Sequence, residues 1–291
     1  MIFKGSMTAI VTPFRDGRID EGTLQSLVDR QISSGADAIV PCGTTGEAAT
    51  LDSEEYGVVV RLTVDAAAGR VPVLAGAGSN STSNAIRLAK SARKAGADGQ
   101  LQVTPYYNKP TQEGLFQHFR AIAEVVDLPM VLYNVPGRTA VNMLPETVLR
   151  LAGIETIVGI KEASGRIEQT KEIVAGAPAG FAVFSGDDAM NLEIYEAGGM
   201  GCISVSGNVV PERVAAVWDA FSAGRIDEAR RLQSSLSELN RAMFLETNPI
   251  PAKTALALMG LCQEEFRLPM TPMSEGPKDE LVLVLKGEGI I

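Results

Sequence analysis

Val158-Gly159-Ile160-Lys161-Glu162-Ala163-Ser164-Gly165 closes an apolar run that begins at Thr156, and it ends in the turn-forming Ala163-Ser164-Gly165. The run reads as a buried strand with Lys161 at its end. A charge there is costly unless it has a partner or a purpose. A desolvated amine sheds its proton more easily, and an unprotonated lysine is a nucleophile towards carbonyls. Two readings stand for Lys161: a Schiff-base lysine, or a strand-end lysine whose stem packs while its ammonium reaches water.

Outward from this stretch the same unit repeats. Short apolar runs at 7–12, 36–41, 71–77, 99–103, 129–133, 156–161, 181–185 and 201–205 read as strands. Helical periodicity follows each of them, at 20–34, 53–68, 79–95, 111–126, 145–152, 167–175, 188–197 and 211–223. Ser53 is the expected cap of the second helix and Gly78-Ser79-Asn80-Ser81 the cap region of the third. Strands this apolar suit burial on both faces. Eight strand–helix pairs predict an α/β fold, a (β/α)8 or TIM barrel, with an open doubly wound sheet as the alternative. Beyond residue 225 the strand signal stops: 226–247, 251–261 and 280–286 read as helices. The expected organisation is a catalytic barrel over 1–224 and a C-terminal helical extension over 225–291.

Bulk properties narrow the chemistry. The 291 residues carry 26 basic and 35 acidic side chains, a formal charge of −9, with no block of like charge. Nucleic acid and anionic membrane surfaces are therefore not expected partners. Cys42, Cys202 and Cys262 form no CxxC pair and are odd in number, which fits a reducing compartment, and no apolar stretch reaches membrane-spanning length; a cytoplasmic protein is expected. His118 is the single histidine and falls in a helical pattern, so it is expected on a helix surface or partly packed. Histidine-rich metal sites and Ser-His-Asp triads are not expected, and acid–base work falls to Tyr, Lys, Asp or Glu.

In a barrel the chemistry sits where the strands end. The second strand leads into Cys42-Gly43-Thr44-Thr45-Gly46-Glu47, the fourth into Thr104-Pro105-Tyr106-Tyr107-Asn108, the fifth into Tyr133-Asn134-Val135-Pro136-Gly137-Arg138, and the seventh into Ser185-Gly186-Asp187-Asp188. Lys161 thereby joins a ring of polar strand ends. Schiff-base formation needs proton transfers at the carbinolamine oxygen, and Tyr133, one strand away, suits them. Thr44 and Tyr107 can extend a hydroxyl chain; packed aromatics with satisfied hydroxyls remain the alternative for both tyrosines. The Gly43–Gly46 turn offers backbone N–H groups to a carboxylate, and Arg138 offers a bidentate clamp or is a surface arginine.

With these residues assembled, Gly43-Thr44-Thr45-Gly46-Glu47, Tyr133-Asn134-Val135-Pro136-Gly137-Arg138-Thr139 and Lys161-Glu162-Ala163-Ser164-Gly165 closely resemble the motifs of the dihydrodipicolinate synthase family. That family belongs to the pyruvate-dependent class I aldolases, which include N-acetylneuraminate lyase. The resemblance covers essentially the whole chain, Asn248-Pro249-Ile250-Pro251 included. It implies condensation of pyruvate with L-aspartate 4-semialdehyde on the route to lysine, with no cofactor or metal beyond the covalent Schiff base. It implies that Lys161 forms that base, that Tyr133 moves the protons, that Thr44 relays them, and that Tyr107 completes the relay from a neighbouring subunit of a homotetramer, a dimer of dimers. Thr45 would take the pyruvate carboxylate and Arg138 that of the semialdehyde; Gly186 and Ile203 would line the pyruvate pocket. Arg138 also separates relatives, because sialic acid lyases resemble the lysine and tyrosine but generally lack it. An aldolase or dehydratase for a 2-keto-3-deoxy sugar acid, or a barrel that only binds a keto acid, is the competing expectation.

One departure bears on regulation. Many bacterial members carry a lysine feedback site whose positions correspond here to Ala48, Ser53, Tyr56, Asn80, Asn84 and Tyr106. Asn84 replaces the glutamate that would pair with the effector's ammonium. Losing one charge-assisted bond costs about 1.5–3 kcal/mol, so weak or absent inhibition by lysine is expected.

Overall fold

The strands close on themselves. The computed structural model describes residues 2–291. Its barrel strands are β1 (Gly5–Ala9), β2 (Ala38–Val40), β3 (Leu74–Gly76), β4 (Gly99–Val103), β5 (Met130–Asn134), β6 (Ile157–Glu162), β7 (Ala182–Ser185) and β8 (Gly201–Ser204). They pair in the order β2-β1-β8-β7-β6-β5-β4-β3, all parallel. The last seam is bridged at Ile39 and Val73, where the Ile39 amide donates to the Pro72 carbonyl (3.1 Å) and the Gly76 amide to the Pro41 carbonyl (2.9 Å). That seam decides for the (β/α)8 barrel over the open sheet.

Alternation along each strand divides the side chains between two cores. Met7, Val40, Leu74, Val131, Phe184 and Ile203 pack inside the barrel. Ile39, Ala75, Leu132, Ile160 and Val183 face outward against Leu27, Val59, Ala89, Phe119, Val148 and Ile173 of the surrounding helices. β1 begins two residues before its expected start, because Gly5 and Ser6 pair with Gly201 and Cys202, and it ends at Ala9. Beyond it the Val11 amide is taken by the Asn208 side chain (3.1 Å). Asp52, not Ser53, caps the helix Ser53–Ala67: it accepts from the amides of Glu54 (2.8 Å) and Glu55 (2.9 Å), and Glu55 accepts from the Asp52 amide (3.1 Å). Ser81 caps Thr82–Lys94.

After the barrel the expected helix over 226–247 is two shorter ones, Ile226–Ser235 and Ser237–Ala242. The second is turned so that Asn240 reaches back to the Asp188 carbonyl (3.2 Å) and accepts from the Ser206 hydroxyl (2.7 Å). Ile250–Leu258 and Glu275–Gly287 complete the extension. The last helix starts five residues earlier than expected, since Pro277 falls in its first turn, where a missing N–H costs nothing. Leu236, Leu239, Ala252 and Leu281 share one apolar cluster with Cys202, Val205 and Val214. Among the described residues no helix is long and apolar enough to cross a membrane.

His118 lies deeper than its helix pattern suggested, at 6% exposure. Its Nδ1 meets the Thr82 hydroxyl (2.9 Å), while Nε2 is buried without a partner. Burial pushes its pKa down to about 4. The unfolded chain takes up this proton near pH 6.5, the folded chain only near 4, so the stability contributed by neutral His118 is present in full above about 6.5 and lost as the pH falls towards 4. The shift corresponds to about 3 kcal/mol. In denaturant titrations His118→Gln should flatten the stability–pH slope in this window by about one proton; an unchanged slope would assign the acid sensitivity elsewhere.

Candidate active site

The C-terminal mouth of the barrel holds a cavity of about 140 Å³. Lys161 and Tyr133 sit side by side in its wall because β5 and β6 pair in register there, Tyr133 with Lys161 and Asn134 with Glu162. Both are inward-facing and buried, and the Lys161 Nζ lies 4.4 Å from the Tyr133 ring centroid. The amine thus rests on the aromatic face.

The following residues point the other way and fix the pair from behind. The Glu162 carboxylate is buried and accepts from the Ser164 amide (2.6 Å), the Asn134 Nδ2 (3.1 Å) and the Gln169 Nε2 (3.1 Å). Asn134 donates in turn to the Asn142 Oδ1 (2.8 Å) and accepts from the Met143 amide (3.0 Å). Every bond of this network draws on the ends of β5 and β6, so it sets where Tyr133 and Lys161 begin.

Space for the lysine comes from β7. A Cβ on Gly186 would stand 2.9 Å from the Lys161 Cε and 2.8 Å from the Ala163 Cβ, so no larger residue fits there without displacing the amine. Asp187 follows in the cavity wall. Burial, and more weakly the neighbouring Asp188, hold its carboxyl above the usual range, against the pull of its amide bond and of Lys161.

The turn after β2 forms the opposite wall. The Gly46 amide donates to the Gly43 carbonyl and the Glu47 amide to that of Thr44, both at 3.1 Å. Cys42 (φ 54°) and Glu47 (φ 52°) bracket it in the left-handed region. A Cβ at Gly76 would come 2.1 Å from the Cys42 carbonyl oxygen, so the turn sits against the end of β3 only because that end is glycine. Thr44 and Thr45 both line the cavity. The Thr45 hydroxyl is buried and accepts from the Asn248 Nδ2 (3.0 Å). Across the mouth Arg138, on the short helix Pro136–Thr139, donates to the Asn248 carbonyl (3.1 Å).

The structure therefore brings together Thr44, Thr45, Tyr133, Arg138, Lys161 and Gly186. It does not bring Tyr107, which projects from the surface at 89% exposure with φ 72°. Ile203 lies inside the barrel core, and Val205 takes a place in the lining. Cys42 and Cys202 are buried, and burial pushes both thiols up, Cys202 to about 12. Phe244 and Asn248 are lining residues that no local pattern in the sequence placed here. Among the described residues no group of three His, Cys, Asp or Glu side chains has the arrangement of a metal site.

Of the positions matched to a feedback site, Ser53 and Asn84 converge on a residue absent from that match. Arg87 donates to the Ser53 hydroxyl and, through Nε (3.2 Å) and Nη2 (2.7 Å), to the Asn84 Oδ1. Tyr56 is buried with its hydroxyl unpartnered, Ala48 and Asn80 are half-buried, and Tyr106 is exposed.

Comparison with known proteins agrees with the motifs. The model of the dihydrodipicolinate synthetase family matches residues 2–288. A 4-hydroxy-tetrahydrodipicolinate synthase of Pelobacter propionicus is 55% identical over 290 residues, covering 100% of both chains. The chloride-inhibited dihydrodipicolinate synthase of Acinetobacter baumannii, solved with pyruvate, is 46% identical with a TM-score of 0.97 over 100% of both chains. The Cyanidioschyzon merolae enzyme, solved with lysine bound, is 42% identical with a TM-score of 0.97, over 100% of this chain and 99% of that one. A full-length family match, relatives above half identity and an essentially superimposable barrel place this chain in the dihydrodipicolinate synthetase family.

Proposed function

We propose that this chain condenses pyruvate with L-aspartate 4-semialdehyde through a Schiff base on Lys161, yielding 4-hydroxy-tetrahydrodipicolinate in lysine and diaminopimelate biosynthesis. The observation that carries the reading is the register of Tyr133 with Lys161 at a barrel-mouth cavity that also holds Thr44, Thr45 and Arg138. The Lys161 amine adds to the keto carbon of pyruvate; the carbinolamine oxygen takes protons and leaves as water. The resulting iminium withdraws electrons from the adjacent carbon, so the methyl group loses a proton and the enamine carbon attacks the aldehyde. Tyr133 carries these protons, and the Thr44 hydroxyl passes them on. The iminium is the electron sink, so the reading requires no further cofactor and no metal.

Thr45 and the amides of its turn receive the pyruvate carboxylate, and Arg138 receives that of the semialdehyde; Gly186 completes the pocket, with Ile203 in the barrel core. Tyr107 stands outside its own cavity, which supports its serving a neighbouring copy, in a homotetramer built as a dimer of dimers. Residues 225–291 form a helical unit docked on the catalytic barrel of residues 1–224. The setting is the cytoplasm, in keeping with three free cysteines. A coupled assay with pyruvate and aspartate semialdehyde tests the reaction; turnover of 2-keto-3-deoxy sugar acids without turnover of the semialdehyde would replace it with another class I aldolase.

The same assay run with lysine tests regulation. Asn84 has no charge to offer an ammonium, and the Arg87 guanidinium bound to it and to Ser53 repels one. Added lysine should leave the rate unchanged or weakly reduced, and inhibition at low lysine concentration would overturn this expectation.

A further inference from the structure

Glu47 and Lys253 form an ion pair whose side chains are 2% and 0% exposed. Lys253 sits on Ile250–Leu258, outside the barrel, and Glu47 ends the turn that carries Thr44 and Thr45. A buried pair is seldom more stabilising than a well-packed apolar one, but its geometry is exacting. Here that geometry is closed on every side. Lys253 Nζ donates to the Glu47 Oε1 and to the Glu265 carbonyl (2.9 Å), and lies 4.3 Å from the Phe14 ring centroid and 5.1 Å from that of Phe266. The second carboxylate oxygen of Glu47 accepts from the Arg267 amide (3.2 Å). The Arg267 guanidinium donates to the Thr50 carbonyl (3.2 Å) and grips Glu55 with both terminal nitrogens.

We propose that the Glu47–Lys253 pair is a positioning device by which the segment after the barrel holds the Thr44–Thr45 turn in its substrate-binding form. Residues 248–267 grip this turn and the segment after it at Thr45, Glu47 and Thr50. The Glu47 amide is bonded to the Thr44 carbonyl, so a shift of Glu47 is a shift of Thr44. The turn leaves and enters through left-handed backbone at two residues with side chains, a form that persists only when its surroundings impose it. Lys253 and Glu47 touch no reacting atom; they act through Thr44 and Thr45. The inference rests on the reading that this turn receives the pyruvate carboxylate.

Three variants of the full chain test it: Lys253→Met, Glu47→Gln, and the two combined. In Lys253→Met and Glu47→Gln the KM for pyruvate should rise about tenfold, the loss of one charge-assisted bond at the carboxylate. Borohydride at saturating pyruvate should still trap the adduct on Lys161. The double variant removes both buried charges, so its Tm should recover towards wild type while its KM stays raised. A KM that follows Tm, restored in the double variant, would make the pair merely structural and overturn the proposal. Hydrogen exchange gives a reading free of substrate: the amides of Gly46, Glu47 and Ala48 should exchange faster in Lys253→Met than in wild type while those of β5 and β6 do not. Unchanged exchange at the turn would likewise overturn it. Failure of wild type to form any pyruvyl adduct would overturn the functional reading instead, leaving the exchange result to decide the positioning role.

Discussion

Lys161→Ala is expected to lower turnover by on the order of 10⁴-fold or more, because removing the nucleophile of a covalent catalyst removes the covalent route itself. It is also expected to abolish the pyruvyl adduct trapped by borohydride, which in wild type should map to Lys161 by mass spectrometry. The variant should fold, since Lys161 lines an existing cavity and the anchoring bonds of β6 belong to Glu162. Lys161→Arg is the sharper control. It keeps a cation near the Tyr133 face, but a guanidinium stays protonated and is no nucleophile, and Gly186 leaves the stem little room. Both variants should be equally inert. An adduct on another lysine, or turnover surviving in Lys161→Ala, would break the mechanism; no turnover in the wild type would leave a barrel that only binds keto acids.

The barrel was legible because its strands are short, apolar and regularly spaced, and because Lys161 interrupts that pattern at a strand end. Burial on both faces writes itself into a sequence as an uninterrupted apolar run. What remained hidden is what depends on contacts distant along the chain. Asn248 reaches Thr45 across a sequence separation of 203 residues, and Lys253 reaches Glu47 across 206. No local period or motif encodes where a helix beyond the barrel will dock. Glu47 was visible only as the end of a motif, yet its carboxylate ties the turn after β2 to the C-terminal segment. Arg87 was hidden for another reason: an arginine on an exposed helix face is unremarkable until its neighbours, Ser53 and Asn84, are seen to converge on it. Asp52 and Ser53 are adjacent and both good caps, and only the reciprocal bond from Glu55 selects Asp52. His118 lies deeper than its helix pattern implies because that helix packs against Thr82–Lys94 along the face that carries it.

Tyr133→Phe separates the proton carrier from the aromatic seat. The ring stays, and with it the face beneath the Lys161 amine and the packing inside the barrel. Only the hydroxyl is lost. If that hydroxyl moves the protons of carbinolamine collapse and enamine formation, kcat should fall by about 10²–10⁴-fold, the range for removing a positioned acid–base group. Borohydride should still trap pyruvate on Lys161, at a slower rate of formation. Thr44→Val removes the next hydroxyl in the proposed relay while keeping its shape. If the two groups act as one path, combining the changes should cost no more than Tyr133→Phe alone, because a path once cut cannot be cut again. Independent, multiplying losses would instead make Thr44 a binding residue. A kcat in Tyr133→Phe within a few-fold of wild type would remove the tyrosine from the chemistry. Attention would then pass to Asp187, the remaining acid in the cavity wall, whose carboxyl burial already holds above its usual range.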